Sequence, residues 1–282
     1  MTGATGNQGG AVVRRLLADG RPVRAMTRDP AQPRARRLAE QGVEVIAGNF
    51  RDAPSLARAM AGAHGVFSVQ SMLADGPEQE ARDGIAVADA ARAAGVAHLV
   101  YSSVGGADRQ TGIPHFESKW RIERHIASLA LPATILRPAF FIDNLITPGT
   151  WGRVMWGSLR GALGRDGSIH VIALEDIGAL AAQAFAEPGA WVGRELEIAG
   201  DEVSVRQAAA AYRRVTGHGP RYLPLPPALV ALGDRSAAAM FRWCATEGYC
   251  ADIPALRREL PQLRDLEQGL RHGTPMTSRL RP

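Results

Sequence analysis

Short apolar runs alternate with stretches of helical periodicity through the first half of the chain, the signature of parallel βαβ units. Residues 10–18 put Val12, Val13, Leu16 and Leu17 on one stripe of a helix. A short strand over 22–27 follows, then a helix over 33–41 closed by Gly42. The next pair is a strand over 43–47 and a helix over 53–60 that begins near Asp52. Residues 66–69 form the next strand. An alanine-rich helix over about 78–94 stops at Gly95, a residue type that enters the left-handed region freely. Strands over 98–102 and 133–136, the latter cut off by Pro138, complete the run.

Beyond Pro138 the alternation weakens. Residues 139–170 are rich in Gly, Trp and Phe and are predicted to form a loop-and-helix insertion over a substrate. A helix over 176–186 and a strand over 195–199 resume the earlier pattern. Pro224, Pro226 and Pro227 then break two helical stretches of a C-terminal lobe. The predicted fold is α/β, a doubly wound parallel Rossmann-type sheet over 1–138 with return elements at about 171–200. Residues 139–170 and 201–282 are assigned to a smaller lobe for a substrate or partner.

Composition removes several classes. Of the 282 residues, 46% are hydrophobic and 22% charged, an ordinary globular balance. No apolar stretch reaches the ~18 residues that span a bilayer, and no secretory leader is visible. The net charge of +5 comes from scattered arginines, densest at Arg34/Arg36/Arg37 and Arg257/Arg258. Neither a basic stripe nor a nucleic-acid reading module is present, so neither nucleic acid nor membrane is expected as a partner. Cys244 and Cys250 are too few for a disulfide framework, have no metal-ligand neighbours, and are expected as small buried residues. A reducing compartment, the cytoplasm, follows as the expected location, and no metal is expected.

One count changes the picture. Of 33 basic residues, 32 are arginine, and the single lysine is Lys119. An ammonium can release its proton and points three donors at one place, whereas a guanidinium stays charged and is bulky. Lys119 is therefore a candidate for chemistry before any motif is considered.

Gly3, Gly6 and Gly9 stand directly before the first helix in the turn Gly3-Ala4-Thr5-Gly6-Asn7-Gln8-Gly9. Such spacing gives a tight turn, a close approach of phosphate to backbone, and close helix packing. The helix N-terminus adds N–H groups and a partial positive charge, so Gly3, Thr5, Gly6, Asn7, Gln8 and Gly9 are expected to hold a dinucleotide pyrophosphate. A turn of this kind follows a buried central strand of ~5 residues, yet only Met1 and Thr2 precede it. The first central strand is thus missing or truncated, and the natural product is expected to carry several more apolar residues.

An acidic residue ~20 positions past the turn selects the ribose diol of NAD, whereas arginine suits the 2′-phosphate of NADP. Arg28 occupies that place, with Asp29 adjacent, so NADP(H) is expected ahead of NAD(H). Asn49, after the predicted strand over 43–47, is placed near the adenine. Ser102 and Ser103 end the strand that begins at His98, and His115 and Lys119 lie one turn apart on the helix that follows. His115 has a side chain suited to proton donation near neutrality. The competing assignments are a surface Lys119 paired with Glu123 at i+4 and a His115 that packs the helix entry. Phe140, Trp151 and Trp156 either line a substrate pocket or belong to the core.

Together these segments resemble the NmrA-like family, atypical short-chain dehydrogenases that include redox-sensing regulators and NAD(P)H-dependent reductases. The resemblance runs through residues 2–10, 23–30, 100–103, 114–123, 134–138 with 140–144, and 175–178, roughly the first two thirds of the chain. His115 stands where ordinary short-chain dehydrogenases have the tyrosine of Y-x-x-x-K. The resemblance implies that Lys119 binds the nicotinamide ribose or relays a proton, that His115 donates one, and that Ser103 bonds the substrate. The leading expectation is an NADPH-dependent reductase of a small carbonyl, enone or quinone. A non-catalytic NADP(H) sensor acting on a regulatory protein partner is the alternative, and an isomerase or epimerase a third.

Overall fold

Every strand and helix expected in the first half is present in the computed structural model, which describes residues 1–72, 75–223 and 235–273. In chain order these are α1 (Asn7–Ala18), β1 (Arg24–Thr27), α2 (Pro33–Glu40), β2 (Glu44–Ala47), α3 (Ala53–Met60), β3 (Gly65–Ser68), α4 (Gly76–Ala93), β4 (His98–Ser102), α5 (Pro114–Ser128) and β5 (Ala133–Pro138). There follow β6 (Phe140–Phe141), α6 (Asp143–Ile146), α7 (Gly149–Leu163), β7 (Ser168–Ile172), α8 (Leu174–Ala186), α9 (Pro188–Trp191), β8 (Glu195–Ile198), β9 (Asp201–Ser204) and α10 (Val205–Thr216). The last described helices are α11 (Arg235–Thr246), α12 (Ile253–Glu259) and α13 (Leu266–His272). The three prolines at 224, 226 and 227 lie outside the described residues.

The elements fall into two compact units. The first comprises Met1–Gln110, Pro114–Arg137 and Ile177–Leu196; the second comprises Thr111–Ile113, Pro138–Asp176 and the described part of 197–282.

In the first unit, β1 and β2 pair in parallel, and β3, β4, β5 and β8 lie side by side in a four-stranded sheet. The β3–β4 and β4–β5 pairings are parallel. Between β1 and β3 stand Met1 and Thr2. The Met1 amino group donates to the Arg24 carbonyl at 2.7 Å, and the Met26 N–H donates to the Met1 carbonyl at 3.0 Å. Thr2 N–H donates to the Phe67 carbonyl at 3.0 Å, and its hydroxyl donates to the Val69 carbonyl at 3.1 Å. Two residues therefore do at one end of these strands what a full central strand does along its length. Val66, Leu99, Tyr101 and Ile135 of the four-stranded sheet pack with Leu56, Val87, Ala88, Ile122 and Ile126 of the covering helices. Such interlocked apolar burial is the main favourable term in folding.

Two boundaries differ from expectation for identifiable reasons. Helix α1 begins at Asn7 rather than Gly10, because the Gly6 N–H closes onto the Gly3 carbonyl at 2.8 Å and launches the helix at once. Gly9 and Gly10, poor helix formers, concealed that first turn in the sequence. Strand β5 runs through Pro138, since a proline at a strand's last position loses no ladder bond that the strand needs.

The second unit has its own sheet, with β6 parallel to β7 and β7 antiparallel to β9. Asp176, wholly buried at the start of α8, accepts from the Arg264 backbone N–H at 2.9 Å and pairs with the Arg264 guanidinium. Phe140 and Trp156 are core residues; the Trp156 indole donates to the Leu145 carbonyl at 3.1 Å. No helix among the described residues is long and apolar enough to cross a membrane.

The cysteines do not behave alike, which corrects the expectation that both are buried. Cys244 is buried in α11, and that burial pushes its thiol up to about 12. Cys250 is exposed in the segment after α11, where its N–H donates to Glu197 at 2.5 Å. A thiol reagent should therefore label one group per chain in the native protein and the second only after unfolding. Two equivalents released at once from native protein would contradict this structure.

Candidate functional site

Three glycines make the turn before α1 possible. Gly3 has φ of +62°, and a Cβ there would lie 2.6 Å from Val69 Cγ1. A Cβ on Gly9 would lie 2.3 Å from the Gly3 carbonyl oxygen, and one on Gly6 would lie 3.1 Å from it. The backbone is folded so tightly that no larger residue fits at Gly9. Gly6 caps α1 with no side-chain acceptor, and the helix has no acidic residue in its first turn. Its leading amides and positive end are thus directed at an incoming anion.

The other predicted residues differ in how they relate to this turn. The Gln8 amide donates to the Ser102 hydroxyl at 2.8 Å, tying the turn to the end of β4. Arg28 follows the last residue of β1 and is exposed. Asp29 is engaged locally, its carboxylate accepting from the Ala31 N–H at 2.8 Å. Asn49, exposed after β2, accepts from the Arg51 N–H at 3.1 Å through its side-chain oxygen. One residue was missed. Arg34, in the first turn of α2, donates to the Thr5 carbonyl at 3.2 Å and so lies against the glycine turn. Its place six residues after Arg28, at the head of the next helix, was the available signal.

Lys119 arrives at the same region from α5. Its Nζ lies 3.1 Å from Glu80 Oε1 and 3.5 Å from the Gln70 carbonyl oxygen. It also stands 6.0 Å from the centre of the Tyr101 ring. Val69, which packs on Gly3, immediately precedes Gln70, so the ammonium and the glycine turn meet through two adjacent residues. The i+4 pairing with Glu123 is not formed. His115 is half-buried one turn earlier, its ring edge-on to Phe116 at 4.9 Å.

Glu123 is occupied by Arg137, whose Nε and Nη2 reach its carboxylate at 3.1 and 2.7 Å. Burial pushes the Glu123 carboxyl above its usual range, while the bonds from Arg137 pull the other way. The Ser103 hydroxyl also donates to Glu123. This departs from the expected role of Ser103, because a buried carboxylate is a stronger acceptor than a neutral substrate oxygen and holds that proton.

The arrangement fits a dinucleotide. A glycine cradle stands at a helix N-terminus, and Arg34 lies against it. Gln70 adds a further sign: its amide nitrogen donates to Ser68 at 3.0 Å, while its buried Oε1 has no hydrogen-bond partner among the described residues. A buried acceptor left without a donor is costly, and a ligand hydroxyl or amide would satisfy it.

A family model described as the NmrA-like family matches residues 1–267. An NAD(P)H azoreductase of Xenophilus azovorans is 30% identical over 226 residues, covering 80% of this chain and 76% of that protein. A (4-alkanoyl-5-oxo-2,5-dihydrofuran-3-yl)methyl phosphate reductase of Streptomyces griseus is 32% identical over 226 residues, covering 79% and 75%. Among solved structures, an NADPH-dependent quinone oxidoreductase of Escherichia coli complexed with NADPH superposes with a TM-score of 0.77 at 25% identity. That match covers 96% of this chain and 98% of the other.

The cradle makes a sharp prediction about adjacent glycines. Gly9→Ala should cost about 1–3 kcal/mol of stability from overpacking. At Gly10 the nearest atom to a new Cβ is the flexible end of Arg14, at 3.5 Å. Gly10→Ala should therefore be neutral or stabilising by up to ~1 kcal/mol, from helix propensity alone. Denaturant titration of the two variants checks the difference.

Proposed function

This chain belongs to the NmrA-like family, and we propose that it is an NADPH-dependent oxidoreductase acting on a small carbonyl, enone or quinone. The observation that carries the proposal is the meeting of the Lys119 ammonium with the segment that packs on the glycine turn. The names of the two curated relatives, both reductases, support the reaction class.

When bound, the nicotinamide supplies hydride; the remaining work falls to the protein. The amides at the start of α1, residues 7–9, hold the pyrophosphate. Arg28 and Arg34 flank the adenosine end and supply charge-assisted donors to a 2′-phosphate, with Asn49 beside the adenine. Lys119 binds the nicotinamide ribose or relays a proton, and His115, one turn away, donates a proton to the substrate.

Two experiments test this. NADPH consumption with a panel of quinones and aldehydes should fall at least about tenfold in Lys119→Arg, since guanidinium neither fits nor gives up a proton. Equal rates would remove Lys119 from the chemistry, and tight NADPH binding without oxidation by any acceptor would favour a redox sensor. Second, Arg28→Glu and Arg34→Glu should each lower the NADPH-over-NADH ratio of kcat/KM by about 10- to 100-fold, the worth of one charge-assisted bond of ~1.5–3 kcal/mol. A variant that keeps the wild-type ratio would overturn its assignment.

A further inference from the structure

Lys119 does not hold its position alone. Glu80, on the second turn of α4, has a side chain only 1% exposed, yet it carries an ionisable group. Its two oxygens have separate partners: Oε1 faces Lys119 Nζ at 3.1 Å, and Oε2 accepts from the Ser118 hydroxyl at 2.5 Å. The helices approach closely enough for this because of Gly84, one turn along α4. A Cβ there would lie 2.3 Å from Ile122 Cδ1 on α5. The carboxylate is thus buried, braced by one neighbour and aimed at the next. A buried carboxylate is expensive unless paired, and replacing such a pair by apolar side chains of similar volume is often neutral or stabilising. Stability alone therefore does not account for a Glu80–Lys119 pair at this place.

Geometry also separates Glu80 from general core packing. The ammonium it holds touches the Gln70 carbonyl, and Gln70 is the residue whose buried Oε1 lacks a donor. We propose that Glu80 is a positioning residue of the reductase site: with Ser118 as its brace, it fixes the Lys119 ammonium at the Gln70 segment, ready for the bound dinucleotide. This rests on the function proposed above. Glu80 touches neither the turn nor the reacting atoms and acts through Lys119.

The chain's one lysine makes a direct test possible. Selective 13C labelling of lysine gives a single side-chain Cε resonance, which reports Lys119 alone. NADPH should shift that resonance in the wild type. In Glu80→Gln, which keeps the shape and removes the charge, the shift should be lost while the Kd for NADPH stays within about threefold. In turnover, kcat should fall about tenfold with the acceptor KM little changed, and that loss should vanish in a Lys119→Ala background. Ser118→Ala keeps the carboxylate but frees its brace; it should lose about threefold in kcat and serves if Glu80→Gln fails to fold. An unchanged NADPH-induced shift in Glu80→Gln, or an equal rate loss with and without Lys119, overturns the role of Glu80 alone. Failure of NADPH to bind the wild type removes both this role and the function it rests on.

Discussion

The fork that Arg137 makes around Glu123 fixes the rotation of α5, and with it the positions of His115 and Lys119. Phe116, Ile122 and Ile126 give α5 an apolar face, but Glu123 lies on that same buried side. A carboxylate there is tolerable only when paired. Arg137, from the end of β5, supplies bonds from Nε and Nη2, and Ser103 beyond β4 supplies another. The guanidinium also reaches Asp108 at 2.8 Å and Glu195 at 2.6 Å, so one arginine collects three separate segments. Removing one member of such a pair typically costs about 3–5 kcal/mol, because the other charge remains buried. The network is therefore strong as a constraint even where its net contribution to stability is small.

That constraint decides what Lys119 can do. Glu123 is its neighbour one turn along the helix and would be its natural surface partner. With Glu123 taken by Arg137, the ammonium turns instead to Glu80 and Gln70. Arginine would serve poorly there. A guanidinium fork seeks two coplanar acceptors, and Glu80 presents one free oxygen because Ser118 holds the other. A compact ammonium with three rotatable donors accommodates a carboxylate and a carbonyl on different elements. The survival of one lysine among 32 arginines thus has a geometric reason at that position.

Much of this was legible in the sequence, and the exceptions share a cause. Alternating apolar runs place the strands and helices because periodicity is a local property. Gly9 is legible because a steric demand on the backbone selects one residue type, and Lys119 because it breaks a compositional rule. Glu80 was not, since its partner lies 38 residues away for Ser118 and the contact depends on the approach of α4 to α5 at Gly84. Arg34 and Gln70 were hidden for the same reason: their importance comes from tertiary neighbours, and no local pattern marks them. The sequence expectation was a missing or truncated first central strand, with only Met1 and Thr2 before the turn, beside β1 and β3. The structure shows those two residues bonding both strands, with the Met1 amino group buried and lowered to about 5 by loss of solvent and by Arg24.

Parallel pairing brings several of the candidate residues to one edge. In a parallel sheet the strands all end on one edge, so the residues that follow β3 and β4 emerge together. Arg28 follows β1, Val69 and Gln70 follow β3, and Ser103 follows β4. Thr2 is bonded to Val69 and leads straight into the glycine turn, while Gln8 in that turn reaches back to Ser102. Only α5 must be aimed at this edge by side-chain bonds, and Arg137 with Glu123 does that. On the function proposed above, phosphate binding would rest on backbone geometry that glycine alone permits, whereas proton chemistry would rest on a charge held by a second, buried charge. The two parts would then fail independently: loss of the cradle would remove the ligand, and loss of the Glu80 contact would leave the ligand bound beside a misplaced lysine.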